Sequence, residues 1–233
     1  MIERVWRRAS AARLIGRLVV ATEDRRIVEA CAGFGAEVLL TEASHPSGTD
    51  RVAEVARRLG DSHPVVLGIQ GDEPLLTPDS LDRLVNALEG DPAAQMATLA
   101  EPIRSAADLF DPNTVKVVTD RGGRALYFSR SPIPYHRGTR GSLACDFRDA
   151  LRARPGALAG YRRHQGIYAY TRAALAELAK LAPSPLESDE GLEQLRALEA
   201  GLHIAVVDSD FRSQSVDTPA DLERVARILA EAL

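Results

Sequence analysis

The chain has 233 residues, of which 45 % are hydrophobic and 27 % are charged, and its formal net charge is −4. This length fits one large α/β domain, or one domain with a small inserted lobe. The charge offers no basic field for a nucleic acid, and no apolar run approaches the roughly 20 residues of a membrane-spanning helix. Cys31 and Cys145 lack metal-binding spacing. They favour a reducing compartment, the cytoplasm, and argue against a zinc site.

The first half of the chain alternates predicted helices with short apolar strands. An amphipathic helix opens the chain, and Arg13 and Arg17 interrupt any apolar core that a targeting peptide would need. Strands are predicted at 18–21, 38–40 and 65–69, and helices at about 25–32, after the loop 45–49 and after Thr77. The strand at 65–69 is apolar on both faces, which is typical of a parallel sheet covered by helices. We therefore predict an α/β fold with a Rossmann-like, mostly parallel sheet.

The pattern changes beyond Pro112. Segments 114–118 and 125–128 flank Asp120–Gly123, which predicts a β-hairpin, and the polar stretch from about 137 to 160 predicts an irregular insertion. The remaining predicted elements are a strand at 167–170, a helix ending near Leu181, a helix from about Leu186 to Ala200, a strand at 204–207 and a terminal helix from Pro219. We interpret the chain as a single domain, 1–233, with a lobe inserted at about 112–170.

Two aspartates are candidates for a metal site. An open α/β sheet binds its ligands at the carboxyl ends of its strands, and the segment Gln70–Pro74, which contains Asp72, directly follows the strand at 65–69. A carboxylate there suits a Mg²⁺ ion that keeps several waters and bridges to phosphate oxygens. Asp217, just before the terminal helix, is the second candidate. Asp72 could instead be a cap or turn residue. Asp217 could instead cap the terminal helix, a role that Thr218 could also fill.

Other residues have the chemistry to bind a nucleotide and a sugar acid. The loop Ser47–Arg51 leads into a helix, where backbone N–H groups and a guanidinium can hold a phosphate or the edge of a base. A plain Ser or Thr helix cap explains the same residues. An anionic, hydroxyl-rich sugar would be bound by His164, Glu193 and Gln194, although such residues are commonly structural or on the surface.

Several motifs occur in the order seen in one family of enzymes. They are Ser47–Arg51, Gln70–Pro74, Tyr127–Pro134, His164–Tyr168, Pro185–Glu187 with Leu192–Arg196, and Val216–Pro219. Over nearly the whole chain they resemble the 3-deoxy-manno-octulosonate (KDO) cytidylyltransferases, also called CMP-KDO synthetases. Tyr127–Pro134 and Leu192–Arg196 are the specific part of the resemblance, whereas the aspartate motif is shared with related nucleotidyltransferases.

The resemblance implies a nucleotide-diphospho-sugar transferase fold with an inserted β-rich lobe for sugar binding and dimerisation. It implies transfer of CMP from CTP to KDO for lipopolysaccharide biosynthesis, by a cytoplasmic homodimer. Asp72 and Asp217 would be catalytic and would hold Mg²⁺. The implied substrate-binding residues are Ser47, Gly48, Thr49, Arg51, Gln70, Arg130, His164, Tyr168, Glu193 and Gln194.

Two features depart from the family pattern. The family begins with a strand and a cationic phosphate-binding loop, on the order of 20 residues, that would precede Met1. We expect that strand to be central in the sheet, so that its absence leaves two strands unpaired beside an open apolar slot. Two explanations of the absence remain open: a misassigned start codon or a true truncation. The second departure is Ser213–Gln214–Ser215, where glycines are common in the family. We expect these side chains to crowd the approach to the metal.

Two other functions remain open at this point. One is a cytidylyltransferase for a related sugar acid, such as an amino-substituted KDO or a sialic acid, which would differ in the pocket near His164 and Glu193. The other is a truncated, non-catalytic dimer that keeps the inserted lobe but does not bind CTP.

Overall fold

A computed structural model describes residues 1–60, 62–135 and 155–231. These residues form nine α-helices and eight strands. In chain order they are α1 (Ile2–Ala9), β1 (Val19–Thr22), α2 (Arg25–Ala32), β2 (Glu37–Leu40), α3 (Gly48–Leu59), β3 (Val65–Gly68), α4 (Pro78–Gly90), β4 (Met96–Pro102), α5 (Ala106–Phe110), β5 (Lys116–Thr119), β6 (Ala125–Ser129), β7 (Arg162–Thr171), α6 (Arg172–Leu178), α7 (Pro185–Glu190), α8 (Gln194–Glu199), β8 (Ile204–Asp208) and α9 (Pro219–Glu231). None of these helices is long and apolar enough to cross a membrane.

The strands form two separate sheets. β1 and β2 pair in parallel as a two-stranded sheet, and the other six follow the order β6-β5-β7-β4-β8, with β3 paired to β7. β7 is antiparallel to β3, β4 and β5, while β8 is parallel to β4. β3, β4, β5 and β8 therefore run in one direction, against β7 and β6. Four of the six strands thus share one direction, and in this sense the predicted α/β class with a mostly parallel sheet is confirmed.

Polar side chains at the helix starts explain why several predicted boundaries agree with the structure. Ser47 caps α3 by accepting the Asp50 N–H, and Thr77 caps α4 by accepting the Ser80 N–H ahead of Pro78. Each hydroxyl satisfies a backbone donor that has no partner within its helix. Such caps are local, so sequence alone predicts them.

The structure differs from the predicted elements in three places. β4 lies in the middle of the sheet but is not predicted, because the segment from Met96 to Ala100 has a single β-branched residue and no aromatic one. The strand predicted at 167–170 extends to ten residues. The helix predicted from Leu186 to Ala200 is two helices, since Gly191 takes a left-handed conformation, with φ of 62°, and ends α7.

Two apolar clusters cover the two faces of the six-stranded sheet. Successive side chains of a strand point to opposite faces. Met96 and Ala100 of β4 accordingly belong to a cluster with α6 and α8, while Ala97 and Leu99 belong to a cluster with α1 and α4. Both faces of β4 are therefore buried.

Two cavities separate the two sheets. Among the described strands, β1 pairs with β2 alone and β3 pairs with β7 alone. Val19 and Ala21 of β1 and Leu67 of β3 line both a cavity of about 520 Å³ and a smaller one of about 230 Å³. This arrangement agrees with the expected apolar slot between two strands that do not pair across it.

The predicted hairpin is present as β5 and β6, which pair antiparallel and join the large sheet through β7. The predicted irregular insertion lies largely outside the described residues, apart from a short 3₁₀ helix at Pro155–Leu158. The lobe at about 112–170 and its dimer contact remain predictions.

Candidate functional site

The larger cavity gathers most of the predicted substrate-binding residues. It lies beside the carboxyl ends of β1 and β3, where Thr22 and Gly71 border it. Eight predicted residues line it: Gly48, Thr49, Arg51, Gln70, His164, Tyr168, Glu193 and Gln194. They come from four segments that are distant in the chain, and the fold brings them together.

The start of α3 packs closely against Gln70, which lies two positions beyond the end of β3. A Cβ atom added to Gly48 would lie 3.1 Å from Nε2 of Gln70. The glycine therefore lets the Gln70 amide approach the amino end of the helix, where N–H groups carry partial positive charge. Ser47 does not line the cavity, because its hydroxyl caps the helix at 3.2 Å from the Asp50 nitrogen.

Side-chain hydrogen bonds hold the first turn of α3 in place. Thr49 Oγ1 donates to Glu193 Oε2 at 2.7 Å, which joins two predicted pocket residues. Arg51 donates to Thr41 Oγ1 at 2.5 Å and forms an ion pair with Glu23. The α3 start is thus tied both to the start of α8 and to the β1–β2 side of the cavity.

His164, which is buried, and Tyr168, which is partly buried, form an aromatic wall of the cavity. His164 Nε2 lies 3.0 Å from Thr98 Oγ1, and the imidazole packs edge-on to Phe128 with ring centroids 5.0 Å apart. Burial lowers the pKa of His164 to about 3, assisted by the positive charge of Arg163, so the ring is neutral near pH 7. Burial likewise raises the pKa of Tyr168 well above 10, so its phenol stays protonated.

Gln194 has an unused hydrogen-bond donor. The residue is 6 % exposed, and its Nε2 atom is buried without a partner among the described residues. A buried amide without a hydrogen bond is unfavourable, so a ligand acceptor would stabilise it. Because Gln194 also lines the cavity, it is suited to bind a carbonyl, carboxylate or hydroxyl oxygen.

Arg130 lies outside the cavity lining. Its Nε donates to the Glu190 carbonyl at 2.6 Å, and its two Nη atoms donate to the carbonyls of Pro112 and Gly191 at 3.0 and 3.3 Å. The guanidinium thereby holds the turn between α7 and α8, and Gly191 of that turn does line the cavity. The predicted contact between Arg130 and the sugar remains a prediction.

The loops carrying Asp72 and Asp217 are joined directly. The Val216 N–H donates to the Asp72 carbonyl at 3.1 Å. Burial raises the pKa of the Asp72 carboxyl, and the nearby negative charge of Asp217 adds to the effect. Two carboxylates close enough for the charge of one to affect the other suit Mg²⁺, which commonly binds one or two carboxylates and completes its shell with phosphate and water. Among the described residues no group of three or more His, Cys, Asp or Glu side chains is arranged for a metal.

The side chains of Ser213, Gln214 and Ser215, which were expected to crowd the metal, contact three different partners. Ser213 is buried and bonded to Glu73, while Gln214 Oε1 accepts from Arg224 Nε at 2.6 Å. Ser215 Oγ donates to Asp217 Oδ2 at 3.2 Å. The side chains of Ser213 and Gln214 are therefore engaged with residues other than the predicted metal carboxylates.

The cavity-lining residues that sequence reasoning missed include two aromatic ones, Trp6 and Tyr170. Tyr170 lies two positions after Tyr168 on β7, so the period of a strand could have placed it on the same face. Trp6 belongs to the apolar side of α1, and no sequence signal distinguishes its role from ordinary packing. Its indole N–H is buried without a partner in the described part of the chain.

Known proteins resemble this chain over nearly its full length. Residues 1–204 match the protein family described as cytidylyltransferase. A 3-deoxy-manno-octulosonate cytidylyltransferase of Pseudomonas syringae pv. syringae is 49 % identical over 231 residues, covering 98 % of this chain and 87 % of that protein.

Two solved structures are also similar to this chain. A CMP:2-keto-3-deoxy-manno-octonic acid synthetase complexed with CTP has a TM-score of 0.85 and 38 % identity, covering 100 % of this chain and 88 % of the other. A 4-diphosphocytidyl-2C-methyl-D-erythritol synthase of Anaerococcus prevotii, at 13 % identity and a TM-score of 0.62 over 98 % of this chain and 88 % of the other, shares the fold. The chain therefore belongs to the cytidylyltransferase family, and within it to the 3-deoxy-manno-octulosonate cytidylyltransferases.

Proposed function

We propose that the chain transfers CMP from CTP to the anomeric hydroxyl of KDO and releases pyrophosphate, in lipopolysaccharide biosynthesis. The observation that carries the proposal is the single cavity lined by eight predicted substrate-binding residues. It combines a helix amino end, which suits an anionic phosphate, with neutral hydrogen-bonding groups that suit a sugar. The names of its close relatives support the same substrates.

The nucleotide would bind where α3 begins. Gln70 presents its amide beside Gly48, and an amide can both donate to and accept from the edge of cytosine. Arg51 and the backbone N–H groups of the first turn add positive charge near the phosphates. This end of the cavity favours a nucleotide through its donors rather than through a broad basic surface.

The sugar would bind against β7 and the start of α8. Glu193 can accept from sugar hydroxyls, and the free amide of Gln194 can donate to a sugar oxygen. The imidazole of His164 is neutral and carries no charge that would change near pH 7. The tight packing around it keeps this wall in place before substrate enters, which reduces the entropy lost on binding.

The reaction needs positioning and charge neutralisation more than a covalent intermediate. The anomeric hydroxyl oxygen of KDO attacks the α-phosphorus of CTP and loses its proton. The bond from that phosphorus to the oxygen leading to the β-phosphate breaks, and pyrophosphate leaves. Asp72 and Asp217 would hold Mg²⁺ at the edge of the cavity. When bound, Mg²⁺ supplies charge neutralisation at the α-phosphate and lowers the pKa of the attacking hydroxyl.

Two further parts of the proposal concern the state of the protein in the cell. We propose a homodimer that uses the region at about 112–170, where Leu126 on β6 is 59 % exposed. We also propose the cytoplasm, where Cys31 and Cys145 would stay reduced. Light scattering of the purified protein tests the first, and a monomer at micromolar concentration would contradict it.

Mass spectrometry of products tests the reaction. The purified chain with CTP, KDO and Mg²⁺ should form CMP-KDO and pyrophosphate. Asp72→Asn and Asp217→Asn should each lower kcat by at least about 10²-fold without changing the circular dichroism spectrum. Asp79→Asn, on the exposed side of α4, is the matched control and should retain activity. Faster transfer to an amino-substituted KDO or a sialic acid would identify a different substrate, and no transfer to any sugar acid would contradict the enzymatic proposal.

A further inference from the structure

We propose that Ser213, clamped by Glu73 and Glu101, is a positioning residue that sets the separation of Asp72 and Asp217. The clamp can be tested in the free protein, whereas its consequence for a metal rests on the proposed function. Neither Glu73 nor Glu101 is among the predicted site residues, and Ser213 was predicted only to crowd the metal. The structure places all three in one buried cluster beside the two aspartate loops.

The clamp consists of hydrogen bonds between buried groups. Glu73, Glu101 and Ser213 are 6 %, 7 % and 3 % exposed. Ser213 Oγ lies 2.7 Å from Glu73 Oε1 and 2.8 Å from Oε2, so its single proton can reach either oxygen. The Ser213 N–H donates to Glu101 Oε1 at 3.3 Å. Hydrogen bonds to buried carboxyl groups are among the more stabilising ones, because their loss leaves the acceptor without a partner.

One partner of Ser213 belongs to the central sheet, and the other is the neighbour of Asp72 in the chain. Glu101 is on β4, which pairs on both sides within the large sheet. Its carboxylate also lies 3.9 Å from the Arg163 guanidinium of β7. Glu73 is the residue after Asp72, so a bond from Ser213 to Glu73 connects the two aspartate loops at their buried side.

Two hydrogen bonds to backbone carbonyls also hold the segment before Asp217, in addition to the side-chain bonds of Arg212 to Asp108 and of Gln214 to Arg224. Gln165 Nε2 of β7 donates to the Phe211 carbonyl at 3.0 Å, and the Val216 N–H donates to the Asp72 carbonyl at 3.1 Å. Ser213 lies between these points. Without its side chain, residues 212–215 would span the two attachments with less restraint, and Asp217 would move relative to Asp72.

The restraint matters because the two carboxylates repel each other. Asp217 is exposed, and burial of Asp72 together with the negative charge of Asp217 raises the pKa of the half-buried Asp72 carboxyl. A preorganised pair offers a cation two ligands at a set separation, whereas a mobile pair must be ordered when the cation binds. A glycine at position 213 has no hydroxyl and could not make this bond to Glu73.

Two measurements on the full chain test the proposal. In Ser213→Ala, amide hydrogen exchange in residues 211–218 should be about five- to tenfold faster, as expected for the loss of one such hydrogen bond. The Mn²⁺ concentration that half-saturates the protein, measured by electron paramagnetic resonance, should rise about three- to tenfold, while kcat at saturating Mg²⁺ changes less than about twofold. Glu73→Gln keeps an acceptor for the Ser213 hydroxyl and should retain slow exchange, whereas Glu73→Ala should not.

Ser129→Ala is the matched control. Ser129 is also buried and donates to a carboxylate, Glu190 Oε1 at 2.5 Å, but on β6. It should lower thermal stability without changing exchange at 211–218 or the affinity for Mn²⁺. Exchange and Mn²⁺ affinity in Ser213→Ala equal to those of the wild type, or equal to those of Ser129→Ala, would overturn the proposal. A wild type that binds no Mn²⁺ would instead contradict the proposed metal site, and hydrogen exchange would still decide whether the clamp exists.

Discussion

The two walls of the cavity are built in different ways. On one side, β7 lies between β3 and β4 in the large sheet and presents His164 and Tyr168, which pack against each other at 5.3 Å between ring centroids. On the other side, β1 and β2 form a pair of four-residue strands outside that sheet. The β7 wall is therefore part of the hydrophobic core, whereas the β1–β2 wall contributes little to it.

This difference indicates where stability and binding depend on the same residues. Groups on β7 are ordered by the packing that holds the fold together, so they need no rearrangement to meet a ligand. The β1–β2 wall is connected to the rest mainly through α2 and α3 and borders a cavity on its open edge. Such a region is expected to open locally at lower free energy than the core.

The largest expected effect separates the two walls by stability. Phe128→Ala, at a fully buried position beside His164, should lower the free energy of unfolding by about 3–5 kcal/mol. Leu40→Ala, at the 45 % exposed end of β2, should cost less than about 1 kcal/mol. Urea unfolding of both variants measures the contrast. Equal losses would show that the β1–β2 wall is as well packed as the other.

The second prediction concerns acid and the β7 wall. Below pH 6.5 the unfolded chain protonates His164, while the folded chain keeps it neutral down to about pH 3. As the pH falls from 6.5 toward 3, this residue should therefore lower the free energy of unfolding by as much as about 1.4 kcal/mol for each pH unit. Unfolding measured from pH 7 to pH 4 should show a shallower slope in His164→Gln. The same slope in both proteins would mean that His164 is protonated in the folded state.

The third prediction concerns the cavity between β1 and β3. An extension before Met1 that carries an apolar strand should pair with both open edges and raise Tm by at least about 2–4 °C, the shift that 1 kcal/mol produces at this size. It should also slow amide exchange in β1 and β3. A glycine- and serine-rich extension of equal length is the control. Identical melting temperatures for the two extensions would contradict a strand-binding slot.

The smallest expected effect is at the nucleotide end. The substitution Gly48→Ala would place a Cβ atom 3.1 Å from the Gln70 amide nitrogen. We therefore expect the affinity for CTP to fall about three- to tenfold. The KM for KDO should be unchanged, since β7 carries that part of the cavity. Gly90→Ala, where a Cβ meets nothing within 4 Å, is the control. Equal losses for both substrates would show that Gly48 affects the whole cavity.

Much of the fold follows from local patterns. The caps Ser47 and Thr77 and the apolar spacing of α3 and α4 predict those helices, and the turn Asp120–Gly123 predicts the β5–β6 hairpin. Each signal depends on residues within a few positions of one another. β4 was missed for the opposite reason: its strand conformation is set by the neighbours β7 and β8, which stabilise a segment of weak strand propensity.

For the site, sequence alone identified residue types and the motifs in which they occur, including eight residues that line one cavity. Only the tertiary structure decided what each side chain contacts. Arg130 donates to backbone carbonyls, and Ser213 bonds to Glu73, 140 positions away, and to Glu101, 112 positions away. Such pairs depend on the order in which strands join the sheet. That order is decided by burial summed over the whole domain, which no local pattern records.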